Sequence, residues 1–193
     1  MTRILSAVAC VLMLAMPAMA LEMGDDGLFK EGWMRDTFKD LREDLEEANA
    51  EGKRLMLMIE QRGCVYCKEM HEVTFQNPVV NGLLAEHFFV VQLNLHGDTE
   101  VTDFDGEVLS EKEAARKWGL LFTPTMIFLP QEVAEDGTAV RAAVSVMPGA
   151  FAPGTTQDML TWVVEERYLL DGDEDFQRYH ARRIQERSDG RTD

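Results

Sequence analysis

Cysteine is scarce in this sequence. Three are present, Cys10, Cys64 and Cys67. That excludes a disulfide scaffold, which needs several pairs spread along the chain. Basic residues are also few, with 19 Lys and Arg against 35 Asp and Glu and a net charge of -16. A chain this acidic has little with which to neutralise phosphates, so nucleic acid is excluded as a partner. No apolar run reaches the roughly 20 residues that span a bilayer. Internal repeats and low-complexity tracts are absent.

What is present begins with an export signal. Arg3 supplies a positive start, an apolar run follows from Ile4 to Met16, and Pro17 to Ala20 ("PAMA") ends in the small-x-small pattern of a cleavage site. Residues 1–20 are therefore read as a signal peptide cleaved after Ala20, and Cys10 leaves with it. About 170 residues remain, enough for one domain with a real core. Cys64 and Cys67 are then the only thiols of the mature chain. A bridge between them closes almost no loop and removes little unfolded-state entropy, so a purely structural role is weak.

Residues 21–35 read as an N-terminal tether. From Asp36 to Gly52 a helical pattern places Phe38, Leu41, Leu45 and Ala48 on one face. "RLMLMIE" (54–60) reads as a buried strand, with Met56 and Met58 packing in it. Helical spacing resumes over 67–75 and again from Val79 to about His87, and "FFVVQLNL" (88–95) is strongly β-prone. Ser110 and Glu113 form a capping box at the start of a further helix. "TPTMIFL" gives another strand. "EDGT" predicts a hairpin turn into a strand over 140–146, and a helix follows over 156–170. Residues 171–193 form a charged tail, read as a frayed or loosely docked helix with Phe176, Tyr179, His180 and Ile184 on one face. This alternation predicts an α/β fold, a mixed sheet with helices on both faces. Trp33, Trp118 and Trp162 are expected in the core or at its rim.

The chemistry concentrates at "GCVYCKEMHE" (63–72). Its cysteines follow a predicted strand and open a predicted helix. Unpaired N–H groups and the helix dipole stabilise a thiolate there, lowering a cysteine pKa from about 8.5 to between about 3.5 and 7.5. Cys64, at the helix start, is expected to be the more exposed sulfur and the attacking nucleophile. Cys67, more buried, resolves the mixed disulfide. The competing reading is zinc, with Cys64, Cys67 and His71 as ligands and His96 as the only distant fourth. A closed site wants four ligands and no second cysteine pair exists. Neither metal nor cofactor is expected. His71 is expected at the surface, Lys68 as an exposed charge favouring the thiolate. The loop 96–108 is expected to rim the site, with Phe104 as a contact; calcium at Asp103 and Asp105 lacks the rest of its loop pattern.

Cys-x-x-Cys at a strand-to-helix junction, with Thr123-Pro124 ahead of a later apolar strand, resembles the thioredoxin superfamily over residues 36–170. "LMLMIEQRGCVYCKEMHEVTF", "VVQLNLHGDTEVTDFDGE" and "EKEAARKWGLLFTPTMIF" resemble SoxW-type thioredoxins, exported proteins associated with bacterial sulfur-oxidation gene clusters. "CVYCKE" is also similar to the thioredoxin-like C-terminal domain of the DsbD electron transporter. The resemblance implies a thioredoxin fold with a central mixed β-sheet, and a periplasmic thiol–disulfide oxidoreductase. It implies Cys64 as nucleophile, Cys67 as resolving thiol, and Pro124 in a cis bond beside them. Thr123 would offer backbone bonds to a bound partner, with Val65 and Tyr66 at the same surface. Implied partners are protein disulfides or sulfur adducts on sulfur-oxidation proteins, with electrons from a membrane thiol transporter of the DsbD or CcdA kind. A monomer is expected. Electron delivery for cytochrome c maturation and a non-catalytic binding or chaperone module are the alternatives. The chain departs from the usual Trp-Cys-Gly-Pro-Cys, since Val65-Tyr66 replaces Gly-Pro and the tryptophan is missing. The superfamily's buried acid falls at Met58, and Glu60 is the substitute proton relay unless it is an exposed strand end.

Overall fold

The computed structural model describes residues 21–170 and 174–191. The expected signal peptide and its cleavage site lie outside them. The strands are β1 (Glu22–Met23), β2 (Phe29–Lys30), β3 (Met34–Arg35), β4 (Arg54–Glu60), β5 (Phe88–Asn94), β6 (Glu100–Thr102), β7 (Val108–Ser110), β8 (Thr125–Phe128) and β9 (Ser145–Pro148). The helices are α1 (Leu41–Ala50), α2 (Val65–Glu69), α3 (Pro78–His87), α4 (Glu111–Lys117), α5 (Ala139–Ala142), α6 (Pro153–Val164) and α7 (Phe176–Ser188). A π-helical turn over Met70–Thr74 continues α2.

Five strands form the central sheet in the order β3-β5-β4-β8-β9. β3, β5 and β4 run parallel, whereas β8 and β9 are antiparallel to their neighbours. Alternation along β4 divides the core. Leu55, Leu57 and Ile59 face the layer of α1 and α4, where Leu41, Leu45 and Trp118 pack. Met56 and Met58 face the other layer, against Met70, Phe75, Leu84 and Leu160. Glu60 follows Met58 in the same period of two. Its carboxylate is therefore directed to the layer that carries the cysteine helix.

Local signals fix the element starts. Asp40 caps α1 by accepting from the N–H groups of Arg42 and Glu43. Asn77 caps α3 in the same way, with Pro78 as its first residue. In the predicted capping box, the Ser110 backbone N–H donates to Glu113 at 2.9 Å.

Four expectations change. The segment 21–35 is folded, not a tether: β1 pairs with β2, β3 extends the central sheet beside β5, and Trp33 is buried. Helix α1 starts only after Asp40, which leaves Phe38 exposed instead of on its apolar face. The strand expected over 140–146 is a short helix followed by β9 at 145–148. The tail forms α7, which packs on α6 and buries Tyr179. Asp158 of α6 secures it, accepting from Arg187 at 2.7 and 2.8 Å and facing His180 at 2.6 Å. No helix among the described residues is long and apolar enough to cross a membrane.

Candidate active site

β4 ends at Glu60, and Gly63 turns the chain with φ of 74°, a conformation that side chains disfavour. Cys64 is the N-cap of α2. Its Sγ accepts from the Cys67 N–H at 3.0 Å. The two cysteines are joined by a disulfide with Cα atoms 5.2 Å apart. Cys64 retains 7% of its surface and Cys67 1%. The peptide Thr123-Pro124 is cis, and the Thr123 hydroxyl lies 3.4 Å from Cys64 Sγ. Thus the start of α2 and the turn into β8 bring Cys64, Cys67, Thr123 and Pro124 together.

Apolar side chains are exposed on the cysteine helix and on the turn into β8. Val65, Tyr66, Leu121 and Phe122 are all exposed. A groove of about 530 Å³ runs alongside, lined by Tyr66, Met70, Val73, Phe122, Phe151 and Pro153 among others. Its far wall is tied to the π-helical turn. The Phe151 N–H donates to Met70 Sδ at 3.2 Å, and the Thr74 hydroxyl donates to the Phe151 carbonyl at 2.8 Å.

Beneath the cysteine helix lies a buried polar cluster. His71 has no exposed surface and Glu60 only 1%. His71 Nε2 is 3.1 Å from Glu60, and Nδ1 is 3.0 Å from Glu31 in the segment between β2 and β3. Burial alone would lower the proton affinity of His71. Hydrogen bonds to Glu31 and Glu60, together with their charges, outweigh it and raise the pKa to about 9. Gln92 of β5 donates to Glu60 at 2.5 Å and accepts from Lys30 at 2.6 Å.

These positions correct the sequence reading at His71 and Phe104 and decide between its two alternatives for Glu60. His71 is not a surface residue. Glu60 is not an exposed strand end. Phe104 is fully buried, so it is not a rim contact. Sequence reasoning missed Glu31, Lys30 and Gln92. Gln92 alone carried a signal, as the one polar residue inside "FFVVQL". The other metal-ligand candidate, His96, pairs with Gln61 at 3.0 Å. Asp103 and Asp105 hold Lys117 Nζ at 3.0 and 2.6 Å, where a cation would otherwise sit. Among the described residues no group of three His, Cys, Asp or Glu side chains is placed to hold a metal ion.

A disulfide at a helix N-terminus, facing a cis-proline turn on a mixed sheet, defines a thiol–disulfide oxidoreductase of thioredoxin fold. The model of the thioredoxin-like domain family matches residues 41–152, and the chain belongs to that family. No curated protein matches the sequence. Among solved structures, a thioredoxin-fold protein from Helicobacter pylori is 17% identical with a TM-score of 0.53, covering 85% of this chain and 93% of its own. A thioredoxin from Thermus thermophilus is 23% identical with a TM-score of 0.49, covering 64% and 83%. The DsbD C-terminal domain of Neisseria meningitidis in its reduced form is 18% identical with a TM-score of 0.43, covering 69% and 97%.

Proposed function

We propose that this oxidoreductase is an exported reductant. It reduces protein disulfides or sulfur adducts on periplasmic sulfur-oxidation proteins, and a membrane thiol transporter of the DsbD or CcdA kind recharges it. The observation that carries the chemistry is the Cys64–Cys67 disulfide at the start of α2, with the Thr123 hydroxyl on Cys64 Sγ. The SoxW-like wording of the sequence and the signal-like first 20 residues support the setting. An exported dithiol that acts as a reductant in an oxidising space needs delivered electrons, which is why a membrane donor belongs to this reading.

In the reduced state the Cys64 thiolate attacks a substrate sulfur. A mixed disulfide forms and one substrate thiolate departs. Cys67 loses its proton, with Glu60 as the acceptor, and attacks Cys64 Sγ. The mixed disulfide breaks, the second substrate sulfur leaves as a thiol, and the Cys64–Cys67 disulfide results. Two electrons pass from the dithiol to the substrate. Thr123 and Pro124 hold the partner segment against Cys64, and Val65 and Tyr66 contact its side chains.

Insulin disulfide reduction by the wild type and by Cys64→Ser tests the assignment. The variant is expected to lose activity by at least a thousandfold, while Cys67→Ser accumulates a mixed disulfide with the substrate. Equal rates for wild type and Cys64→Ser would remove the nucleophile. The equilibrium potential of the pair tests direction. A value near ~-270 mV supports reduction, and one near ~-120 mV argues for oxidation.

A further inference from the structure

The buried cluster below the disulfide contains more than one acid. Each ring nitrogen of His71 faces a carboxylate, Glu60 on one side and Glu31 on the other. An imidazolium donates from both ring nitrogens, so a charged ring matches a carboxylate on each side. Cys67 and His71 are four residues apart on one continuous helix, a spacing that puts side chains on the same face. Both are buried there. Glu60 approaches from β4, on the same layer of the sheet.

The elements packed on this cluster present both charged and neutral groups to it. Gln92 of β5 holds Glu60. Lys30 of β2 holds Gln92 and is itself paired with Asp26 at 2.7 Å. Gln76 donates to Glu31 at 3.2 Å, and the rings of Phe29 and Phe75 enclose His71 without charge. Glu31, Lys30 and Phe29 all precede residue 41, where the family match begins. The N-terminal segment therefore brings charges that the family domain does not itself supply.

We propose that His71, held by Glu31 of the N-terminal segment, is a positioning residue that keeps Glu60 an ionised acceptor for the Cys67 proton. The segment 21–35 is then a working part of the redox site. This rests on the reductant reading above. In the resolving step the proton moves from Cys67 Sγ to Glu60, and the Cys67 thiolate displaces the substrate sulfur from Cys64. Glu60 then returns the proton to the departing substrate thiolate. The imidazolium is not consumed. Its charge offsets the cost of burying the Glu60 carboxylate.

Two measurements on the mature chain test this. The first follows the His71 ring by NMR through a pH titration. The wild-type ring is expected to be charged at pH 7 and to lose its proton near pH 9. In Glu31→Gln the midpoint falls by at least one pH unit. A ring that is neutral at pH 7, or a midpoint unmoved by Glu31→Gln, overturns the proposal whether or not other variants fold. The second is the single-turnover rate of the resolving step. His71→Gln is expected to slow it at least tenfold at pH 7 and to shift its acid limb upward by at least one pH unit, leaving attack by Cys64 unchanged. The double variant Glu60→Gln/His71→Gln should be no slower than Glu60→Gln. Additive losses would mean a merely structural His71 and would overturn the proposal. A wild-type protein that reduces no disulfide overturns the function above and the relay with it. Normal wild-type turnover that His71→Gln leaves intact overturns the relay alone.

Discussion

Asp44 shows how one side chain can oppose the fold that contains it. It is 97% buried in the first turn of α1, and its partner is the Thr37 hydroxyl at 3.3 Å. Burial, with Asp40, Glu47 and Glu43 nearby, raises its pKa from 3.8 to about 6. The folded protein thus binds this proton more tightly than the unfolded chain. The stability it supplies is complete below pH 3.8 and is lost as the pH rises through about 6. Asp44→Asn, which retains an acceptor for Thr37, is expected to stabilise the protein at pH 8 by on the order of 2 kcal/mol. Urea unfolding at pH 8 and below pH 4 checks this, with no gain expected at the lower pH. His71 gives the complementary lesson about sequence. Its position four residues after a buried cysteine already placed it on the buried face. The surface expectation followed residue type instead, because polarity says nothing of the two carboxylates that make such burial tolerable.

At the scale of elements, legibility followed length and caps. β4 and β5 were readable because their dense apolar runs leave few alternatives, and α4 because Ser110 and Glu113 announce its start. The strands of residues 21–35 have two residues each, too short for any period, and the partner of β3 lies more than fifty residues away in β5. The site divides the same way. The cysteine pair and Thr123-Pro124 are contiguous motifs, whereas Glu31, Gln92 and His71 meet only through the sheet. α7 is a further case. Its apolar face was visible, but the Asp158 that fixes it belongs to another helix. Asp158→Asn weakens the anchor for Arg187 and His180, a loss expected to cost about 2 kcal/mol. Limited proteolysis should then cut within α7 at least tenfold faster. Disulfide reduction should be unchanged, since α7 docks on α6 away from the cysteines.

For the whole molecule, an acidic surface carries several exposed apolar side chains near the cysteines. A chain with net charge -16 nonetheless exposes Val65 and Tyr66 between its cysteines and Phe122 beside Thr123. Such a patch has a use only when another surface covers it. Phe122→Asp is expected to raise KM for a protein disulfide about tenfold or more, the scale of losing one well-buried aromatic contact. Reduction of a small aromatic disulfide such as dithionitrobenzoate should change less than twofold. Steady-state kinetics with both substrates separates docking from chemistry.

The borders of the sheet carry the opposite instruction. On one side β3 covers β5 with only two residues, and on the other β9 ends at Pro148, which has no N–H to offer a ladder. Neither border presents a long template on which a stray strand could be added. Crowded copies of this protein are thereby discouraged from growing into ribbons, and the apolar side chains beside the disulfide remain the surface on which encounters take hold.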